Sequence, residues 1–106
     1  LHDALPILSF DLFKREIRDN VMIPQIGKPN DAYYQNMRTE QANAILARRT
    51  GGAQPIWAAG NVNVAGVNTA EVKAQRKFKL KISVKVNVFS EWVELEFVNV
   101  AQTSSV

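Results

Sequence analysis

Cysteine is absent from the 106 residues, which excludes disulfides, thiolate metal ligation and a cysteine nucleophile. Histidine occurs once, at position 2, too little for a catalytic triad or a histidine zinc site. No apolar run approaches the roughly 20 residues that span a bilayer as a helix, so no membrane partner is expected. A phosphate-binding glycine loop and the dinucleotide fingerprint are both missing. Neither sign of charge dominates. Thirteen basic and ten acidic residues leave a net charge of +3, far from the dense basic stripe of a nucleic-acid binder. The mildly basic pI near 9.5 suits an acidic protein partner instead. Tyr33, Tyr34, Trp57 and Trp92 are scattered and make no stacking platform for single strands; they read as packing residues. No catalytic, cofactor-binding or metal-ligating set stands out.

What is present is an ordinary globular composition, 46% hydrophobic and 22% charged, on a length suited to one domain. The opening residues Leu1-His2-Asp3-Ala4-Leu5-Pro6-Ile7 are too short, too polar and too poor in positive charge for a signal peptide. They are the translation of CTA-CAC-GAC-GCT-CTT-CCG-ATC, a common short-read sequencing adapter. Residues 1–7 are therefore expected to be adapter-derived, with 8–106 the end of a longer protein; resequencing the locus checks this. His2 then drops out of any mechanism.

Helical spacing of Phe10, Phe13, Ile17 and Val21 predicts a helix from Ser9 to Met22, with Ser9 as N-cap and Pro24 as the stop. Gly27 and Pro29 punctuate a loop. A second helix is expected from Asp31 to Arg49, capped by Asn30, with Arg48 and Arg49 at the negative end of its dipole and Gly51-Gly52 after it. Its apolar stripe (Tyr34, Met37, Ala44, Ile45, Leu46) is weaker, which predicts an exposed face. Ile56 and Trp57 suggest a buried anchor, Val62 and Val64 a short strand, and Asn68-Thr69-Ala70-Glu71 a turn or single helical turn.

Phe78, Leu80, Ile82, Val84, Val86 and Val88 then occupy every second position, with Lys77, Lys79, Lys81, Ser83, Lys85 and Asn87 between them. Period two over a dozen residues predicts a strand with one buried and one wet face. A second strand is expected from Glu91 to Val100, with Val93, Leu95 and Phe97 inward and Glu94 and Glu96 outward. In a tight hairpin turning at Phe89-Ser90, Lys85 faces Glu94, Val84 faces Leu95 and Ile82 faces Phe97. The lysines and glutamates read as a solvated sheet face of favourable cross-strand pairs, not as a nucleic-acid site or a catalytic carboxylate pair. Trp92, Val98 and Val100 fall on that same outer face. A strand apolar on both faces implies cover from another element or another chain. The fold class expected is α+β: two N-terminal helices packed on a small, mainly antiparallel sheet ending in two long C-terminal strands.

Asn68-Thr69-Ala70-Glu71-Val72, the alternating stretch from Phe78 to Lys85, and Trp92-Val93-Glu94-Leu95-Glu96-Phe97-Val98 follow one another at set spacing, with Pro29-Asn30-Asp31 opening the helix upstream. In this order they resemble the C-terminal domain of contractile phage tail sheath proteins, over roughly residues 10–100. The usual Pro-Ala-Arg-Ser-like corner between the last strands is replaced here by Val86-Asn87-Val88-Phe89-Ser90-Glu91. The segment Ala53 to Val67 is also richer in Ala, Asn and Gly than the strand usual at that place. The resemblance implies a structural virion protein of the tail, assembled in the host cytoplasm, without catalysis or cofactor. Its partners would be copies of itself in hexameric rings and the tail tube protein. Subunits would be linked by shared strands, for which Trp92, Glu94, Glu96, Val98 and Val100 are the candidate interface residues. Arg38, Arg48 and Arg49 are the candidate tube contacts. Another tail part such as a terminator, or a small enzyme or ligand-binding domain with an unrecognised site, is the alternative.

Overall fold

In a computed structural model of the chain, residues 4–23 and 30–100 are described, those of 4–8 and 100 by their backbone alone. The elements run α1 (Ala4–Asn20), α2 (Ala32–Thr50), β1 (Ala59–Asn63), α3 (Ala70–Ala74), β2 (Lys77–Lys85) and β3 (Trp92–Val100). The strands form one antiparallel sheet in the order β1-β2-β3. The architecture is the α+β arrangement expected, with two long strands closing the chain. None of the described helices is long and apolar enough to cross a membrane.

The alternation in β2 sets the layers. Phe78, Leu80, Ile82 and Val84 are fully buried, while the lysines between them are half-exposed. Phe13, Ile17 and Val21 of the first helical stripe, Ala42, Ile45 and Leu46 of α2, and Trp57 complete the core over that face. Trp57 is the anchor expected, stacked on Phe10 at 5.1 Å and met edge-on by Phe13 at 5.0 Å. Its neighbour Ile56 is exposed. Gly60 lets α2 lie close on β1, because a Cβ there would come within 2.7 Å of the Leu46 side chain. The opposite face of the sheet carries no helix among the described residues.

Several local expectations are corrected. Ser9 lies inside α1, which begins at Ala4, so Ser9 is not the N-cap. That helix ends at Asn20, ahead of Pro24, which lies outside the described residues along with the loop to Pro29. The cap of α2 is Asp31, whose carboxylate accepts from Tyr34 N at 3.0 Å, and not Asn30. Ala44 is exposed; the buried face of α2 instead includes Arg38. Thr69 caps α3, and Arg76, at φ 60, turns the chain from α3 into β2.

The hairpin register is shifted by two residues. Lys85 faces Trp92, Val84 faces Val93 and Ile82 faces Leu95. The parity is as expected, so Leu95 and Phe97 point inward, but Val93, expected on the buried face, is 39% exposed near the hairpin end. The turn centres on Val88-Phe89. Asn87 Oδ1 accepts from Phe89 N (2.9 Å), Ser90 Oγ accepts from Asn87 N (3.0 Å), and Ser90 N donates to Asn87 O (3.1 Å). Neither central residue has positive φ. A turn of that kind splays its strands, so β2 stops at Lys85, and Val88 and Phe89 stand at the tip, 67% and 94% exposed.

Candidate assembly interface

The two long edges of the sheet differ. On the β1 side, β1 pairs only with Asn63↔Lys81 through Ala59↔Lys85, leaving β2 unpaired from Lys77 to Leu80. Two buried asparagines fill that gap. Asn68 Nδ2 donates to the Lys79 and Val64 carbonyls at 2.7 Å each, and its Oδ1 accepts from Lys79 N at 2.9 Å. Asn30 Nδ2 donates to Asn68 Oδ1 at 3.0 Å and to Lys77 O. The side-chain amide of Asn68 thus stands in for one residue of a neighbouring strand.

This contact also orients β3. Both main-chain groups of Lys79 point toward Asn68, away from β3, so Lys79↔Val98 is a pair without mutual hydrogen bonds. Alternation then turns the N–H and C=O groups of Trp92, Glu94, Glu96 and Val98 toward the far edge of β3. Among the described residues nothing pairs with that edge. These are four of the five residues expected at a subunit interface. Val100 closes the ladder opposite Lys77 by its backbone, and its side chain lies outside the described residues.

A groove of about 450 Å³ runs beside that edge, lined by Lys14, Arg18, Met22 and the consecutive residues Glu94 to Val98. A depression over one face of a strand touches every second residue. Five in succession means that the strand's own edge forms the wall. Leu95, half-buried, and Phe97, 8% exposed, supply apolar surface. The opposite wall is made by Lys14 and Arg18, one turn apart on α1, and by Met22 just beyond its end.

The outer face is open among the described residues. Trp92 and Val98 are half-exposed, and Glu94 holds Lys81 at 3.1 Å. Lys85 Nζ sits 6.0 Å from the centre of the Trp92 ring. A shallow hollow lies between Asn61, Ser83, Trp92 and Glu94.

The three arginines separate. Arg38 is 1% exposed; its Nη2 donates to Ile23 O at 2.7 Å, and its guanidinium lies 4.3 Å over the Phe78 ring. Burial lowers its pKa, partly opposed by Tyr34; the group stays charged. A buried side chain offers no surface to a tube, so Arg38 is withdrawn as a contact. Arg49 is mostly buried, bound to Glu16 at 3.0 Å and to Ile45 O at 3.3 Å. Arg48 also binds Glu16 and remains largely exposed. Burial by itself raises the Glu16 carboxyl, but the hydrogen bonds and charges of Arg48 and Arg49 outweigh it and hold its pKa below the ordinary value. The ion pairs thus join α1 to α2. Among the described residues no three His, Asp or Glu side chains gather as a metal site.

No protein-family model, no curated protein and no solved structure matches this chain.

Proposed function

We propose that the chain is a structural, self-assembling module whose partners bind by adding a strand to the free edge of β3, as in a contractile tail sheath of a virion. The observation that carries this reading is the edge of β3, unpaired among the described residues, beside a groove as long as five of its residues. Exposed edges are ordinarily blunted, by charge, proline, bulges or a covering element. Here the edge carries Glu94 and Glu96 but is a regular strand of nine residues. Main-chain hydrogen bonds would supply strength and alternating side chains the register. Tube contact, in this reading, falls to Arg48 and its exposed neighbours on α2. The module needs no catalysis and no cofactor for this role.

Sedimentation and electron microscopy of the purified chain test it. Concentration-dependent association into rings or tubes is expected, and Val98→Pro should abolish it, because that change removes an outward N–H without touching the β2–β3 ladder. A chain that stays monomeric at every concentration and ionic strength would count decisively against strand addition.

A further inference from the structure

We infer that the strand received at the free edge of β3 is β1 of a second copy, laid parallel to it, so that copies join head to tail in one continuous sheet. This rests on the strand-addition reading and names its partner.

The asparagine seal covers β2 only beyond the end of β1. Along β1 itself an edge stays open. Lys79 turns both main-chain groups toward this side, so Lys81, Ser83 and Lys85 do the same. They form the hydrogen-bonded pairs with Asn63, Asn61 and Ala59. The main-chain groups of Gly60 and Val62 then point away from β2 and have no partner among the described residues.

β1 and β3 run in the same direction, each antiparallel to β2. A head-to-tail repeat therefore sets β1 of one copy parallel to β3 of the next, with the helices of every copy on one face. In a parallel ladder a residue bonds to the two that flank its opposite number. With Ala59–Asn63 beside Glu94 to Val98, five residues lie on five. Gly60 and Val62 then meet the outward groups of Glu94, Glu96 and Val98.

The side chains suit this placement. β1 carries no charge, so no register sets a like charge opposite Glu94 or Glu96. Asn61, exposed and without a side-chain hydrogen bond among the described residues, falls opposite Glu96, which is exposed and has no ion pair among them. An asparagine amide can donate to that carboxylate. On the inner face Val62 and Leu95 are each half-buried at their own edges. Val62 falls opposite Phe97 and diagonal to Leu95, which extends the apolar layer across the junction. Because the contact uses two different edges, every added copy leaves one of each free, and the assembly grows into rings or tubes. β3 against β3 would use one edge twice and stop at a dimer.

Two proline variants of the intact chain make the test. Val98→Pro removes an outward N–H of β3, and Val62→Pro removes one of β1, each leaving the ladders with β2 in place. Sedimentation of either variant alone should show monomers. An equimolar mixture should give dimers and nothing larger, because one variant keeps only its β3 edge and the other only its β1 edge. Circular dichroism confirms that both fold. Asn61→Asp sets a carboxylate opposite Glu96 and should weaken each contact by about 1.4- to 5-fold, an effect lost in Glu96→Gln. Association that survives Val62→Pro, a mixture that stays monomeric, or no response to Asn61→Asp overturns the inference while leaving strand addition intact. An unsubstituted chain that stays monomeric, or Val98→Pro that still assembles, overturns both.

Discussion

The two edges of the sheet received opposite treatment from the same chain. Where β1 ends, Asn68 and Asn30 turn inward and occupy the main-chain groups of Lys79 and Lys77. Beyond β3, the main-chain groups of Trp92, Glu94, Glu96 and Val98 face outward with no partner among the described residues. An edge closed by the molecule's own side chains belongs to its folding. An edge left regular, beside an open groove, is available to something else. Unsatisfied main-chain groups are tolerable there only because water reaches them.

Proline substitutions give the strongest contrast. Leu95→Pro removes a hydrogen bond of the β2–β3 ladder and should cost about 3 kcal/mol or more in urea unfolding. Val98→Pro, three residues on, removes an outward N–H and should cost much less; equal losses would show that the assigned orientation of β3 is wrong. Next comes Asn68→Ala on the closed edge. It strands buried main-chain groups of Lys79 and Val64 and should lower stability by about 2–4 kcal/mol, with hydrogen exchange accelerating first at Lys79. A change below about 0.5 kcal/mol would mean that water replaces the amide and that this edge is not truly closed.

The smallest effect concerns the helix layer behind the closed edge. Glu16→Gln removes the shared partner of Arg48 and Arg49 and should cost at most about 1 kcal/mol near neutral pH, because Arg48 is well solvated. The sign with pH follows from a folded pKa below the ordinary 4.5. The carboxylate's contribution is complete above that value and is lost as pH falls through the lower folded one. Denaturation of the two proteins at several pH values should therefore show their difference shrinking below about pH 4.5. A gap that widens on acidification would contradict the ion-pair geometry.

The strand pattern was legible because period two over Phe78 to Val84 admits one burial solution. Any register error of two residues preserves it, which is why parity came out and the register did not. The turn was misplaced by one position because Asn87 and Ser90 close it with their side chains, a signal present in the residue types but weighed below tightness of the hairpin. Arg38 illustrates a different limit. An arginine in a polar helix reads as surface, and only the positions of Ile23 O and the Phe78 ring make a buried guanidinium acceptable. The exposed Trp92 and Val98 on β3 were legible as an apolar excess on a polar face. The groove was not, since its second wall is Lys14 and Arg18 of a helix some eighty residues earlier in the chain.

By itself the sequence determined the local periods: an apolar stripe at helical spacing and strict alternation in β2. These follow from backbone geometry and need no knowledge of neighbours. Tertiary structure alone decided which edge of the sheet was sealed, which charges were buried and where a slot remained. Those outcomes depend on which distant groups meet, and burial energy is settled only when they do.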